Sequence, residues 1–270
     1  MPWTLPLARG RALRIDHPIV MGILNVTPDS FSDGGRLATP DHVREAARAM
    51  LQAGATILDV GGESTRPGAV PVSAELEVRR VIPAITVARR ISPDAVVSID
   101  TSKAEVAQAA LAAGADMVND VSGLADAAMA GVVPGHGCSV VLMRSAPCEG
   151  DVVAAAARQT AALLARARSA GIPDTAVLLD PGLGFGDPPG GEPTANLALL
   201  RNAAALGHGR PVVVGASRKR FIGRLTNVKE PDRRLAGSLA AAVLAVEGGA
   251  AVVRAHDVAE TVQALRVTSA

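Results

Sequence analysis

The stretch VVSIDTSKAEVAQAALAAGADMVNDVS, from Val96 to Ser122, decides the fold. It opens as a short run of β-branched and apolar residues that stops at Asp100. A longer Ala-rich pattern follows and closes on Gly114. A second apolar run begins at Met117 and stops at Asn119 and Asp120. Short apolar runs bounded by turn residues read as strands buried on both faces. The Ala-rich piece between them suits a helix, with Gly114 as its left-handed C-cap. A strand, a helix and a strand in so short a span make a βαβ unit, whose two strands lie parallel.

The same unit recurs on either side. Further runs are IVMGILNV (Ile19 to Val26), TILDVGG (Thr56 to Gly62), SVVLM (Ser139 to Met143), AVLLD (Ala176 to Asp180), PVVVGAS (Pro211 to Ser217) and AVVRAH (Ala251 to His256). Helical patterns lie between them. TPDHVREAARAMLQAGA offers Thr39 as N-cap and Pro40 at the first helical position. SAELEVRRVIPAITVARR offers Ser73 as cap and carries Pro83, which predicts a kink or a break. Gly54, Gly114 and Gly249 each precede a strand as a repeated helix-to-strand turn. About eight such alternations in 270 residues predict an α/β fold, a (β/α)8 TIM barrel forming a single domain over residues 1–270, with its core at about 19–267. A doubly wound open sheet is the other arrangement, but no G-x-G-x-x-G follows the first strand.

Composition narrows the function. Hydrophobic residues are 49% of the chain, and 27 basic against 26 acidic residues leave a net charge of +1. No global field draws nucleic acid or an acidic membrane. The apolar stretch LAGSLAAAVLAV (Leu235 to Val246) stops at Glu247, short of the ~20 residues a bilayer needs. The N-terminus MPWTLPLARGRALRI has no long apolar region of a signal peptide. Cys138 and Cys148 read as ordinary thiols of a reducing compartment, and the protein as cytoplasmic. Aromatics are scarce: one Trp, three Phe and no Tyr. Phe31, Phe185 and Phe221 all fall beyond strand ends, which predicts an aromatic substrate held between loops.

In a barrel the chemistry belongs at the C-terminal ends of the strands. Those ends carry Asn25, Asp59 followed by Glu63 to Arg66, Asp100, Asn119 with Asp120, Met143, Asp180, the turn Ser217 to Arg220, and Arg254 with His256. Side chains on a strand alternate faces, so Arg254 and His256 share one face. A ring of polar ends pointing into the mouth fits the set. A carboxylate after a strand can simply cap the next helix. Caps explain neither an Arg and a His at i and i+2 nor two amides ending buried strands. Asp100, Asn119 and Asp180 suit a flat heterocycle with N–H donors, because a carboxylate accepts two parallel bonds. Lys219, Arg254 and His256, on the last two strands, suit an anion. GASRKR places small residues before a helix start, where backbone amides can approach; it lacks the P-loop spacing, and a solvated basic turn is the plainer alternative. No Ser-His-Asp or Cys-His arrangement is present.

At these residues the chain resembles the dihydropteroate synthase family of folate biosynthesis. MGILNVTPDSFSDGG and ILDVGGESTRPGA look like its two longest signatures. SIDTSK, MVNDVSG, LDPGLGFG, GASRKRFIG and VRAHDV follow in family order. The resemblance implies a (β/α)8 homodimer, a target of sulfonamides, that joins 6-hydroxymethyl-7,8-dihydropterin diphosphate to p-aminobenzoate with Mg²⁺ and releases pyrophosphate. It implies small-molecule substrates and no nucleic-acid or membrane partner. Carried over by motif, Asp100, Asn119, Met143, Asp180 and Lys219 hold the pterin. Asn25, Arg254 and His256 hold the diphosphate, and Asn25 also contacts Mg²⁺. Thr65, Arg66, Pro67, Phe185 and Ser217 border p-aminobenzoate, with Phe31 in the mobile first loop. Asp100, Lys219, Arg254 and Asn25 carry the chemistry. That chemistry is a dissociative, SN1-like displacement: the diphosphate leaves early, the anion clamp stabilises it, and Asp100 stabilises the cation left behind. The chain departs from the family pattern at Arg144, where His is common, and at Asp187, where Lys is common, and the span from Met143 to Asp180 is short. The alternatives are a pterin-dependent methyltransferase, which needs no diphosphate clamp, and a catalytically inactive pterin-binding paralogue.

Overall fold

The computed structural model describes residues 2–27, 40–64, 70–185 and 192–268. Phe31, Thr39, Thr65, Arg66, Pro67 and Asp187 lie outside the described residues. The chain opens with an antiparallel hairpin of β1 (Trp3–Leu7) and β2 (Arg11–Ile15). The parallel strands follow: β3 (Ile19–Asn25), β4 (Ile57–Gly61), β5 (Val96–Asp100), β6 (Met117–Asp120), β7 (Val140–Met143), β8 (Val177–Asp180), β9 (Val213–Val214) and β10 (Val252–Ala255). Between and after them run α1 (Pro40–Gln52), α2 (Ala74–Ile91), α3 (Ala104–Ala113), α4 (Met129–His136), α5 (Val152–Ser169), α6 (Pro193–Arg201), α7 (Ala203–Leu206), α8 (Arg220–Thr226), α9 (Leu235–Glu247) and α10 (Val258–Thr268).

The strands pair in the order β8-β7-β6-β5-β4-β3-β10-β9. The ring then closes. Leu179 of β8 bridges Val212 in parallel, and its N–H donates to Pro211 O at 3.1 Å. A closed ring of eight parallel strands is the TIM barrel, and the open-sheet alternative falls away.

Alternation along the strands sorts the core into two shells. Leu24, Leu58, Val60, Val97, Ile99, Val118, Leu142 and Leu179 face outward and pack with helix residues such as Val81, Ile85 and Leu111. Met21, Ile57, Val96, Met117, Val141, Leu178, Val213 and Val252 face inward as an apolar floor. Leu5, Leu7, Leu13 and Ile15 of the hairpin pack against that floor. The hairpin is therefore the plug of the barrel's N-terminal end, and the packed core extends below residue 19. Its period-two leucines bury only because an open barrel end offers them apolar side chains to meet.

The helix punctuation follows the sequence, with one exception. Gly54, Gly114 and Gly249 have φ of +103°, +119° and +93°, the left-handed turns the pattern predicts. Ser73 caps α2, its Oγ accepting from Leu76 N at 3.2 Å. Pro83 does not break α2, which runs on to Ile91. The ring costs the helix one N–H, but Val81, Ala84, Ile85 and Ala88 on the same helix are buried against the barrel and hold it in place. Neither Cys138 nor Cys148 is in a disulfide. Among the described residues no helix is long and apolar enough to cross a membrane.

One polar knot ties the plug to the barrel. Asp116, fully buried before β6, accepts from Arg9 Nη2, Arg11 Nη1 and Val97 N, each at 2.8 Å, and from Arg89 of α2. The arginines spend their remaining donors on backbone carbonyls, as where Arg9 Nη1 reaches Ala115 O at 2.9 Å.

Candidate active site

Two residues above the apolar floor, the inward face turns polar. Asp59 follows Ile57, Ser98 follows Val96, Asn119 follows Met117, Met143 follows Val141, Asp180 follows Leu178 and Arg254 follows Val252. Register aligns them across the sheet. Asp59 lies beside Ser98, Asp100 beside Asn119, and Met143 beside Asp180. Asn25 and Asp100 flank Gly61 on either side. A Cβ on Gly61 would stand 3.2 Å from Asn25 Oδ1 and 3.7 Å from Asp100 Oδ2, so the missing side chain is what lets amide and carboxylate approach. The predicted ring of polar strand ends is real for these residues.

Arg254 organises one side of the mouth. Its Nε donates to Asp59 Oδ2 at 2.6 Å and its Nη2 to Asp100 Oδ2 at 2.6 Å. Asn119 Nδ2 donates to the same Asp59 oxygen at 3.0 Å. Sequence reasoning named Asp59 as a strand end and assigned it no role. The signal was available, since it lies two residues before Gly61 and on the inward period of β4. Asp59 Oδ1, Ser98 Oγ and Asp100 Oδ1 are buried without a hydrogen-bond partner among the described residues. Burial, helped by the charges of Asp59, Glu77 and Asp120, outweighs Arg254 and raises the Asp100 carboxyl to about 7. For Arg254 burial pulls downward, but Asp59 and Asp100 more than offset it, and the guanidinium stays charged.

Lys219 and Asp180 form a second group of the mouth. Lys219 stands just before α8, its Nζ donating to Leu183 O at 2.6 Å and lying 4.7 Å from the centre of the Phe185 ring. Burial lowers the ammonium to about 8, with Arg254 and Arg144 adding to the fall and Asp180 opposing it. Asp180 accepts from Gly182 N at 2.7 Å. Burial raises its carboxyl, against the pull of Lys219. Met143 is buried beside it.

A third group sits at the ends of β9 and β10. Ser217 Oγ and His256 Nδ1 are 3.0 Å apart, and His256 N donates to Ser217 Oγ at 3.2 Å. The structure thus joins a residue expected at p-aminobenzoate to one expected at the diphosphate. The basic turn divides by role. Arg218, at φ +61°, forks onto Asp257 through Nε at 3.1 Å and Nη2 at 2.5 Å, so its charge is paired away from the mouth. Lys219, unlike Arg218, joins the polar cluster.

Three of the singled-out residues, Phe221, Asp120 and Arg144, turn away from the polar cluster. Phe221 does not border the mouth. It is 1% exposed and packs with Leu183, Leu199 and Ile222 between barrel and helices. It is the first inward turn of an apolar helix face, not a substrate clamp. Asp120 points away from Asn119 and binds the next turn, accepting from Ser122 N at 2.8 Å and Leu124 N at 2.7 Å. It closes the turn after β6 and does not cap the next helix, α4, which starts at Met129. Arg144 is buried and ties its own loop to α5, donating to Ala146 O at 2.5 Å and to Gln159 Oε1 at 3.2 Å.

The fold and mouth define a class: a (β/α)8 barrel with buried acceptors and cations gathered at the C-terminal end of its strands. The model of the pterin-binding enzyme family matches residues 21–256. The chain belongs to the pterin-binding enzyme family. Dihydropteroate synthase of Escherichia coli strain K12 is 45% identical over 97% of this chain and 95% of its own length. The structure of dihydropteroate synthase from Xanthomonas albilineans with 4-aminobenzoic acid superposes with a TM-score of 0.89 at 45% identity, covering 98% of both chains. That from the same organism in complex with 7,8-dihydropteroate gives a TM-score of 0.86 at 43% identity, again over 98% of both.

Proposed function

We propose that this chain is a dihydropteroate synthase, a transferase that condenses 6-hydroxymethyl-7,8-dihydropterin diphosphate with p-aminobenzoate to give 7,8-dihydropteroate and pyrophosphate. The observation that carries the reading is the division of the mouth. Buried acceptors of Asp100, Asn119 and Asp180 lie on one set of strands, and the cations of Lys219 and Arg254 stand against them. A pterin offers N–H donors to the first set and an acceptor edge to Lys219, and the diphosphate needs Arg254.

Roles follow from the chemistry. Asp180 and Asn119 orient the pterin, Lys219 spans its polar edge, and Met143 lines its face. Arg254, His256 and Asn25 take the diphosphate. As the bond to diphosphate breaks, positive charge grows on the pterin methylene, and the Asp100 carboxylate is the group placed to stabilise it. The aromatic amine then attacks. A weakly basic amine attacking a cation needs no strong general base. Ser217 and Phe185 border the amine's side.

Mg²⁺ belongs to this reading as the partner of the diphosphate. Among the described residues no three His, Cys, Asp or Glu side chains gather to hold a metal. Mg²⁺ commonly binds through substrate phosphates with one or two protein oxygens, and Asn25 Oδ1 at the rim suits that use. When bound it would neutralise leaving-group charge. A cytoplasmic homodimer completes the reading, which sedimentation and cell fractionation test.

The test is direct. Purified protein given both substrates and Mg²⁺ should release pyrophosphate and form dihydropteroate. Pterin binding without pyrophosphate release would instead mark an inactive paralogue.

A further inference from the structure

We propose that Asp59 is a positioning residue of this reaction. It holds Arg254 by the Nε edge and Asn119 by its amide nitrogen, leaving Arg254 Nη1 and Asn119 Oδ1 for the substrate. The inference rests on the reading of the mouth as a pterin diphosphate site and deepens it.

Three observations carry it. First, Asp59 is fully buried on the inward face of β4, between Ile23 and Ser98, and one of its oxygens takes both bonds. Second, an ionised carboxylate can only accept, so it selects the NH₂ of Asn119 and turns the amide oxygen the other way. The donor and acceptor pattern shown to a heterocycle is thereby set from behind. Third, Arg254 is anchored on two strands at once, by Nε to β4 and by Nη2 to β5. Arg254 Nη1 has no protein partner among the described residues. Without Asp59 the guanidinium has one anchor left, Asp100, and the favoured geometry of such a pair is bidentate. A bidentate pair through Nε and Nη2, as Arg218 makes with Asp257, would tie up both oxygens of the carboxylate that the reaction uses and turn Nη1 away from its place. Asp59 prevents that collapse.

A brace for the barrel would explain the bonded oxygen, Oδ2. It does not explain a second oxygen buried with no partner, which is a cost to the fold.

The experiment is a double-mutant cycle on the full chain, read by pyrophosphate affinity in the presence of Mg²⁺ and by both Michaelis constants. Asp59→Asn is expected to weaken pyrophosphate about tenfold and to raise the KM for pterin diphosphate by a similar factor. The KM for p-aminobenzoate should stay within about twofold. In an Arg254→Met background, Asp59→Asn should cost pyrophosphate affinity nothing further. Equal losses in both backgrounds would overturn the proposal. So would unchanged pyrophosphate affinity in Asp59→Asn, even with a lowered melting temperature, since Asp59 would then be a brace only. If Arg254→Met itself binds pyrophosphate like the parent, the diphosphate reading fails first and the proposal with it. Asp59→Ser, smaller and neutral, repeats the cycle should Asp59→Asn fold poorly.

Discussion

The ammonium of Lys219 lies 4.7 Å from the centre of the Phe185 ring while donating to Leu183 O at 2.6 Å. The loop after β8 and the turn after β9 thus meet through one buried cation. Its other electrostatic partner is Asp180. A charged donor in such a place is worth about 1.5–3 kcal/mol. Lys219→Ala should therefore raise the KM for pterin diphosphate by about tenfold or more, with a smaller change for p-aminobenzoate. Steady-state kinetics with each substrate varied in turn checks it. Unchanged binding and turnover would remove Lys219 from the site.

The pH dependence should be a narrow bell. Asp100 must be ionised to face a cation, and burial raises its carboxyl to about 7. Lys219 must be protonated to meet the pterin's polar edge, and burial lowers it to about 8. Below the first value Asp100 gains a proton and activity falls with falling pH. Above the second Lys219 loses one and activity falls with rising pH. The profile of kcat/KM for pterin diphosphate reports these free-enzyme values. A flat profile through both limbs would separate these two groups from the rate.

Gly182 is expected to tolerate no side chain. Its φ is +60°, and a Cβ there would collide with the backbone carbonyl of Arg144. Neither can yield cheaply, because Arg144 N is itself bonded to Asp180 O at 3.1 Å. Gly182→Ala should push the loops after β7 and β8 apart and disturb the Gly182 N–H bond to Asp180. The expected result is a loss of pterin affinity of about tenfold with a destabilisation of about 1–3 kcal/mol, read by titration and by thermal melting.

How far the sequence could be read depended on whether a residue's role was local. Strand ends such as Asn25, Asp100 and Asp180 were legible, because alternation and the barrel rule place them without any contact being known. Gly114 was legible for the same reason, its left-handed turn being a property of one position. Asp59 was visible but mute. Its meaning lies in Arg254 and Asn119, which meet it only across the closed barrel. Phe221 misled because its position after a strand end says nothing of which way a helix then turns. The hairpin was the largest omission. Its leucines alternate plainly, but their burial depends on a floor assembled from strands throughout the chain.

The knot at Asp116 supports the last prediction, at the end of the barrel opposite the mouth. It joins the hairpin, α2 and the start of β5 through three arginines and one backbone N–H. Asp116 is buried while its arginines are partly exposed, so losing its charge falls at the low end of a broken buried pair, about 3 kcal/mol. In a chain of this size Asp116→Asn should then lower Tm by roughly 10 °C. The loss should begin in the plug. Trp3, the chain's one tryptophan, is in the hairpin and bonds Gly209 O at 3.3 Å, so its fluorescence reports the hairpin and its seat on the barrel. In the variant its transition should precede the loss of helical circular dichroism, whereas the parent should lose both together. Because Asp59, Asp100 and Arg254 draw nothing from the plug, the KM for pterin diphosphate should hold below the melting range. A variant whose KM rises while its fluorescence and melting match the parent would show that the two ends are coupled through the floor.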